Sequence, residues 1–260
     1  MIKHPIGIFI SGRGSNLKSI VDACKEKEYP AEIKVVFSNN KNAPGLSFAK
    51  ENNLDAITLD HHNFKNTEEY EEKIISLLKP YELELICLAG YMKILSKKLI
   101  DHYSNKIINI HPSLLPNYKG LNTHRRVLEN NETKTGCTVH YVNQEMDGGK
   151  IILQREVEIS AEDTETSVSK KVLKEEHIIY PEAIKLVLKK YCLPHQKNDL
   201  SLFQHFRGCL IHAQNFFLIV PSAASSGLVA PITSLFILIA FSPSRTCTTI
   251  GPEHIKSHKL

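Results

Sequence analysis

The chain has 260 residues, 42% hydrophobic and 23% charged, a balance that permits a sizeable core and excludes collagenous, coiled-coil or disordered architectures. Its formal net charge of +4, with lysines scattered among glutamates, calls for no nucleic-acid partner and leaves a small anionic substrate open. Six widely spaced cysteines, Cys24, Cys87, Cys137, Cys192, Cys209 and Cys247, form no Cys-x-x-Cys pair, so a disulfide frame or zinc knuckle gives way to reduced thiols in a cytoplasmic protein.

From the N-terminus, the apolar run Ile6 to Ile10 is too short for a secretory signal and reads instead as a strand. Further strands are expected at Ile33 to Phe37, Asp55 to Leu59, Leu83 to Leu88 and Lys106 to Ile110. Between them, segments of helical period predict helices over Asn16 to Lys27, Pro44 to Asn53, Thr67 to Lys79 and Ser96 to Tyr103. This alternation implies an α/β fold: a Rossmann-like, mostly parallel sheet with helices on both faces. Ligands of such sheets bind outside the carboxyl ends of the strands. After residue 135 two strands, Cys137 to Val142 and Ile151 to Ile159, are joined through a tight turn at Met146-Asp147-Gly148-Gly149. A last helix begins near Thr164, with Pro181 expected to kink or interrupt it.

Beyond Tyr191 the composition shifts. Residues 208–244 contain no Lys, Arg, Asp or Glu, and Gly227 to Phe241 is strongly apolar. Pro221, Gly227 and Pro231 break this stretch below the roughly 20 continuous apolar residues of a membrane helix. The organisation expected is a domain over residues 1–191 and a C-terminal extension over 192–260, either disordered or weakly membrane-associated. No membrane partner is expected unless residues 208–244 anchor the chain, and no feature specifies an oligomeric state.

Three constellations carry chemistry. Ser11-Gly12-Arg13-Gly14-Ser15-Asn16 follows the first strand and opens the first helix, where free N–H groups and the helix dipole suit a phosphate. It matches neither the dinucleotide fingerprint nor Walker A, and a capped turn with Ser15 or Asn16 as cap is an equal alternative. Asn109 and His111 share one face at the end of the fifth strand, so an amide and an imidazole can converge on one reacting atom. That pair suits acyl chemistry, with the amide stabilising an oxyanion and the histidine moving a proton, although a histidine at a strand end also serves purely structural roles. Asp147, if it met His111, would orient the ring and favour its protonated form; Asp before Gly is otherwise a common turn residue. His61-His62, His124, His140 and Cys137 have no recognised ligand spacing, so no metal is expected. Ser113 lacks the flanking glycines of a nucleophile elbow.

Over about residues 6–191 the chain resembles the folate-dependent glycinamide ribonucleotide formyltransferases of purine biosynthesis. The blocks are Ile-Ser-Gly-Arg-Gly-Ser-Asn-Leu (10–17), Val-Phe-Ser-Asn (36–39), Leu-Ala-Gly-Tyr-Met-Lys-Ile-Leu-Ser (88–96), Asn-Ile-His-Pro-Ser-Leu-Leu-Pro (109–116), Gly-Leu-Asn-Thr-His (120–124), Met-Asp-Gly-Gly (146–149) and Glu-His-Ile-Ile-Tyr-Pro (176–181). The resemblance implies that Asn109, His111 and Asp147 are catalytic. It implies that Gly12, Arg13, Gly14, Ser15, Asn16 and Glu176 bind the ribonucleotide. For the folate it implies Met92, Lys93, Ile94, Leu95 and Asn109, with the loop Asn143, Gln144, Glu145, Met146 and Asp147. The co-substrate implied is 10-formyltetrahydrofolate, without a metal. Where some relatives carry an arginine on the folate tail this chain has Thr67, with Lys65 the nearby substitute, and Arg13 stands where an asparagine is common.

Rival readings differ in what they require. Methionyl-tRNA formyltransferases would need a basic RNA-binding extension, and formyltetrahydrofolate deformylase an N-terminal regulatory domain, neither of which is expected here. A noncatalytic ligand-binding module on a Rossmann-like scaffold would not need Asn109, His111 and Asp147 together.

Overall fold

The computed structural model describes residues 2–192; the extension expected over 192–260, with its apolar run 208–244, lies almost wholly outside the described residues. In chain order the elements are β1 (His4–Ile10), α1 (Ser15–Cys24), β2 (Ala31–Ser38), α2 (Pro44–Glu51), β3 (Asp55–Thr58), α3 (Thr67–Leu78), β4 (Leu85–Leu88), α4 (Lys97–His102), β5 (Ile107–His111), α5 (Thr123–Glu129), β6 (Lys134–Tyr141), β7 (Ile151–Glu158) and α6 (Glu165–Cys192). The strands form one seven-stranded sheet in the order β3-β2-β1-β4-β5-β6-β7. β1 to β5 pair in parallel, whereas β6 and β7 are antiparallel additions to the β5 edge. The chain direction across the sheet reverses between β1 and β4, which opens a crevice at their carboxyl ends.

Two apolar layers cover the sheet. On one side Leu17, Ile20 and Val21 of α1 and Val168, Val172, Ile179, Tyr180 and Ile184 of α6 pack with Ile6, Ile8, Ile10, Leu85 and Ile108. On the other, Tyr70, Ile74 and Leu78 of α3 and Leu99 of α4 pack against Phe9, Val35, Phe37 and Ile86. The alternation of β1 and β2 between these layers is the period-2 signature of strands buried on both faces. Local signals set the helix starts: Pro44 occupies the first turn of α2, and the Asn66 side chain accepts the Glu69 N–H to cap α3.

Two expectations are corrected. Of the kink or interruption expected at Pro181, the interruption does not occur: α6 runs unbroken from Glu165 to Cys192. Burial of Ile179, Tyr180, Ala183 and Ile184 on both sides of the proline outweighs a local cost of about 3 kcal/mol. The buried Tyr180 hydroxyl, 2.9 Å from Leu88 O and 3.2 Å from Ile108 O, ties the same turn to the end of β4 and the start of β5. Secondly, β6 and β7 are joined not by a tight turn alone but by the longer loop 142–150. A turn closed by Gly148 N–H to Glu145 O at 3.1 Å sits within it. Gly149 is obligatory there, because a Cβ would lie 1.7 Å from Tyr141 O. The helix α5 was not expected from the sequence.

Candidate active site

The residues singled out by sequence gather at the carboxyl ends of the three adjacent strands β1, β4 and β5. Gly12 to Asn16 form the turn from β1 into α1, Met92 to Leu95 follow β4, and Asn109 and His111 end β5. The loop 142–150 brings Asp147 to the same edge through the pairing of β6 with β5.

Asn109 and His111 do share a face, opposite to Ile108 and Ile110 of the core. His111 is buried; its Nδ1 lies 3.4 Å from Asp147 Oδ2 and its Nε2–H donates to Tyr118 O at 2.9 Å. Asp147 sits at φ 50°, a left-handed conformation that Asp tolerates, and accepts the Gly120 N–H at 2.9 Å. The carboxylate therefore ties the imidazole, the 118–121 loop and the 142–150 loop together, so the turn residue Asp147 also stands beside His111.

His140 is a site residue that spacing arguments passed over. It stands directly across from Asn109 in the β5–β6 ladder, with Asn109 Nδ2 3.2 Å from its Nε2 and Asp147 Oδ1 at 3.7 Å. Its Nδ1–H donates to Tyr141 O at 2.9 Å. Burial pushes its pKa down, so the neutral ring presents Nε2 as an acceptor and holds one Asn109 N–H. The other N–H of that amide is thereby oriented rather than free to rotate. The signal was available in the alternation of β6, where Cys137 and Val139 enter the core and Thr138 and His140 must face the other way.

At the β1–α1 turn, Gly14 adopts φ 75° and is the N-cap of α1, with no side chain capping the helix. The alternative of a Ser15 or Asn16 cap is thus set aside. Gly14 also packs closely on α2, where a Cβ would lie 3.0 Å from Gly45 Cα. Asn16 instead reaches α6: its Nδ2 donates to Glu176 Oε2 at 2.7 Å, while its Oδ1 is buried without a protein partner. Glu176 is 7% exposed. Burial raises its pKa, and the Asn16 hydrogen bond offsets this in part.

The remaining positions form a rim. Met92 and Ile94 are 66% and 73% exposed on the segment after β4, and Leu121 and Met146 are exposed on the 118–121 and 142–150 loops, bare apolar side chains on segments that also carry polar residues of the site. Leu95 packs inward. Lys93, Lys65, Thr67 and Tyr70 help line a cavity of about 290 Å3. Arg13, Asn143, Gln144 and Glu145 are exposed, with Glu145 paired to Lys119 at 2.6 Å. The residues weighed for a metal do not assemble: Cys137 lies in the core, His124 on α5 and His140 on β6. His61 and His62 stand with Asp60, their candidate ligand atoms within 4.8 Å of one another, near the Lys93 charge.

A doubly wound sheet that presents an oriented amide, two imidazoles and a carboxylate on β5, β6 and the 142–150 loop, beside its switch point, holds the groups that acyl-group transfer requires. The family model described as formyl transferase matches residues 5–184, and the chain belongs to that family. It is 43% identical over 176 residues to the phosphoribosylglycinamide formyltransferase of Escherichia coli (strain K12), covering 68% of this chain and 83% of that protein. It is 40% identical over 185 residues to the human trifunctional purine biosynthetic protein adenosine-3, covering 71% of this chain and 18% of that protein. Among solved structures, glycinamide ribonucleotide transformylase 1 from Symbiobacterium toebii superposes with a TM-score of 0.71 at 39% identity, covering 72% of this chain and 89% of that one. Among the described residues no helix is long and apolar enough to cross a membrane.

Proposed function

We propose that the protein transfers the formyl group of 10-formyltetrahydrofolate to the amine of N1-(5-phospho-D-ribosyl)glycinamide, as a step of de novo purine biosynthesis. The observation that carries this reading is the convergence of Asn109, His111 and Asp147 on one strand edge, with relatives named for the same transfer. The acceptor amine forms a bond to the formyl carbon while the bond from that carbon to N10 of the donor breaks. One proton leaves the amine and one reaches N10. During attack negative charge grows on the formyl oxygen, and the second N–H of Asn109, oriented by His140, is the donor for it. His111 contributes once its Nε2–H is transferred from Tyr118 O to that oxygen, with Asp147 holding the ring from the Nδ1 side.

Binding assignments follow the same geometry. The uncapped first turn of α1, Gly12 to Asn16, suits the ribonucleotide phosphate, and the Glu176 carboxylate suits the glycinamide amine. The apolar rim of Met92, Ile94 and Met146 fits a flat heteroaromatic ring, while Leu95, Asn143, Gln144 and Glu145 complete that wall. Lys93 and Lys65 line one cavity with Thr67 and supply positive charge for a carboxylate tail. Residues 1–191 would form the catalytic domain and 192–260 a separate extension. A cytoplasmic location accords with the free thiols of Cys24, Cys87 and Cys137.

Deformylation of the same donor by water is the nearest rival. Steady-state consumption of 10-formyltetrahydrofolate, measured with and without the ribonucleotide, separates them. Consumption that requires the acceptor supports transfer, and acceptor-independent consumption overturns it.

A further inference from the structure

Two carboxylates are buried among the described residues, Glu176 and Glu71. Glu176 belongs to the site above, whereas Glu71, only 1% exposed on α3, takes no part in the chemistry. Both its oxygens are committed to a single residue: Oε1 accepts the Ser96 N–H at 2.8 Å and Oε2 accepts the Ser96 hydroxyl. No lysine or arginine pairs with it among the described residues. Burying a carboxylate without a cation is costly, and what it secures here is the position of one serine.

Ser96 closes the segment Met92–Leu95. The other end of that segment is held by Ser11, whose Oγ accepts the Met92 N–H at 2.8 Å. Between these two anchors Met92 and Ile94 point bare apolar surface outward. Lys93 lies over the ring of Tyr70 at 5.4 Å, and Tyr70 is the buried neighbour of Glu71 on α3. An exposed apolar segment fixed at both ends loses little conformational entropy when a ligand covers it, which is the benefit of preorganisation.

We infer that Glu71 is a positioning residue for the formyl donor, its carboxylate clamping Ser96 so that Met92 to Leu95 form a rigid wall for the donor's ring system. This rests on the proposed donor-binding role of that segment. The clamp acts at the Ser96 end of the segment, on the donor side; the ribonucleotide side, built from the β1–α1 turn and α6, touches the segment at its opposite end, through Ser11.

The test is steady-state kinetics and equilibrium binding of a nonreactive 5,10-dideazafolate donor analogue to the full chain, with folding checked by thermal melting. Glu71→Ala is expected to raise the donor KM and the analogue Kd by about tenfold, leaving the acceptor KM within about twofold and kcat within about threefold. Glu71→Gln, whose amide oxygen still accepts the Ser96 N–H, recovers most of the loss. Ser96→Ala gives an intermediate effect, and the Glu71→Ala/Ser96→Ala double variant is no worse than Glu71→Ala, because both act through one contact. An unchanged donor KM in folded Glu71→Ala, equal rises for both substrates, or additive effects of the two substitutions overturn the inference. If Glu71→Ala does not fold, an unchanged donor KM in Ser96→Ala overturns it. Wild-type protein that binds no analogue removes the functional reading itself, a result distinct from wild-type binding that the variants leave untouched.

Discussion

The pairing of Asn16 with Glu176 has a pH-dependent consequence of definite sign. Glu176 has a folded-state pKa raised above its ordinary 4.5 by burial, and the Asn16 amide is the group that favours its charged form. An acid raised on folding contributes stability that is fully present below the unfolded value and is lost as pH rises through the folded value. Asn16→Ala removes the 2.7 Å hydrogen bond and pushes the folded value higher still. Above that value a buried carboxylate has lost a charged hydrogen bond, at a cost of about 2–3 kcal/mol. Below it the protonated acid loses only a neutral bond, about 1 kcal/mol. Urea denaturation of wild type and Asn16→Ala across a pH series from about 4 to about 9 should therefore show a gap that widens as pH rises through the folded value of Glu176, and Glu176→Gln should remain at least as stable as wild type at the alkaline end. A gap that is constant across the series, or a Glu176→Gln variant as destabilised there as Asn16→Ala, refutes the assignment of a strained buried charge. The same Glu176→Gln variant should raise the KM for the amine-bearing acceptor and leave that for the donor unchanged.

Removing the Asn109 amide should lower kcat by roughly 100- to 1000-fold, and Asn109→Ala with wild-type turnover would exclude it from the reacting oxygen. His111→Ala and Asp147→Asn should each cut turnover by at least about tenfold with the fold intact, since asparagine also accepts the left-handed backbone at 147; unimpaired rates in both folded variants would contradict their roles. Gly149→Ala should destabilise the fold far more than an exposed substitution, by several kcal/mol given the clash with Tyr141 O, read as a lowered melting temperature or insoluble protein. Lys65→Ala and Lys93→Ala should raise the donor KM more at low salt than at high salt; a salt-independent effect would point to packing instead of charge.

The central sheet was legible because β1, β4 and β5 are nearly continuous apolar runs and β2 alternates with exposed Glu32 and Lys34 before turning apolar from Val35 to Phe37, and each expected strand lies within a few residues of the observed one. The gathering of Asn109 and His111 on one face followed from alternation alone. α5 was missed because Thr-His-Arg-Arg-Val-Leu-Glu buries little beyond Thr123 and Val127, too few positions for a helical period to register. The expected interruption at Pro181 came from a local rule that the packing of α6 overrides. His140 and Glu71 were hidden for different reasons. His140 was weighed by ligand spacing along the chain, although its partner Asn109 sits across a strand pair. Glu71 lies in a charged stretch, Thr-Glu-Glu-Tyr-Glu-Glu-Lys, that reads as a solvated helix face, and only the three-dimensional return of Ser96 shows that it is buried.

The most direct measurement is the fate of a 13C-labelled formyl group carried by 10-formyltetrahydrofolate, followed by NMR in the presence of the glycinamide ribonucleotide. Label appearing in the formylated ribonucleotide in equal amount to the donor consumed, and lost in Asn109→Ala, is the result expected of an enzyme that transfers formyl through this site. Label recovered as formate, or transfer that survives Asn109→Ala undiminished, would contradict it.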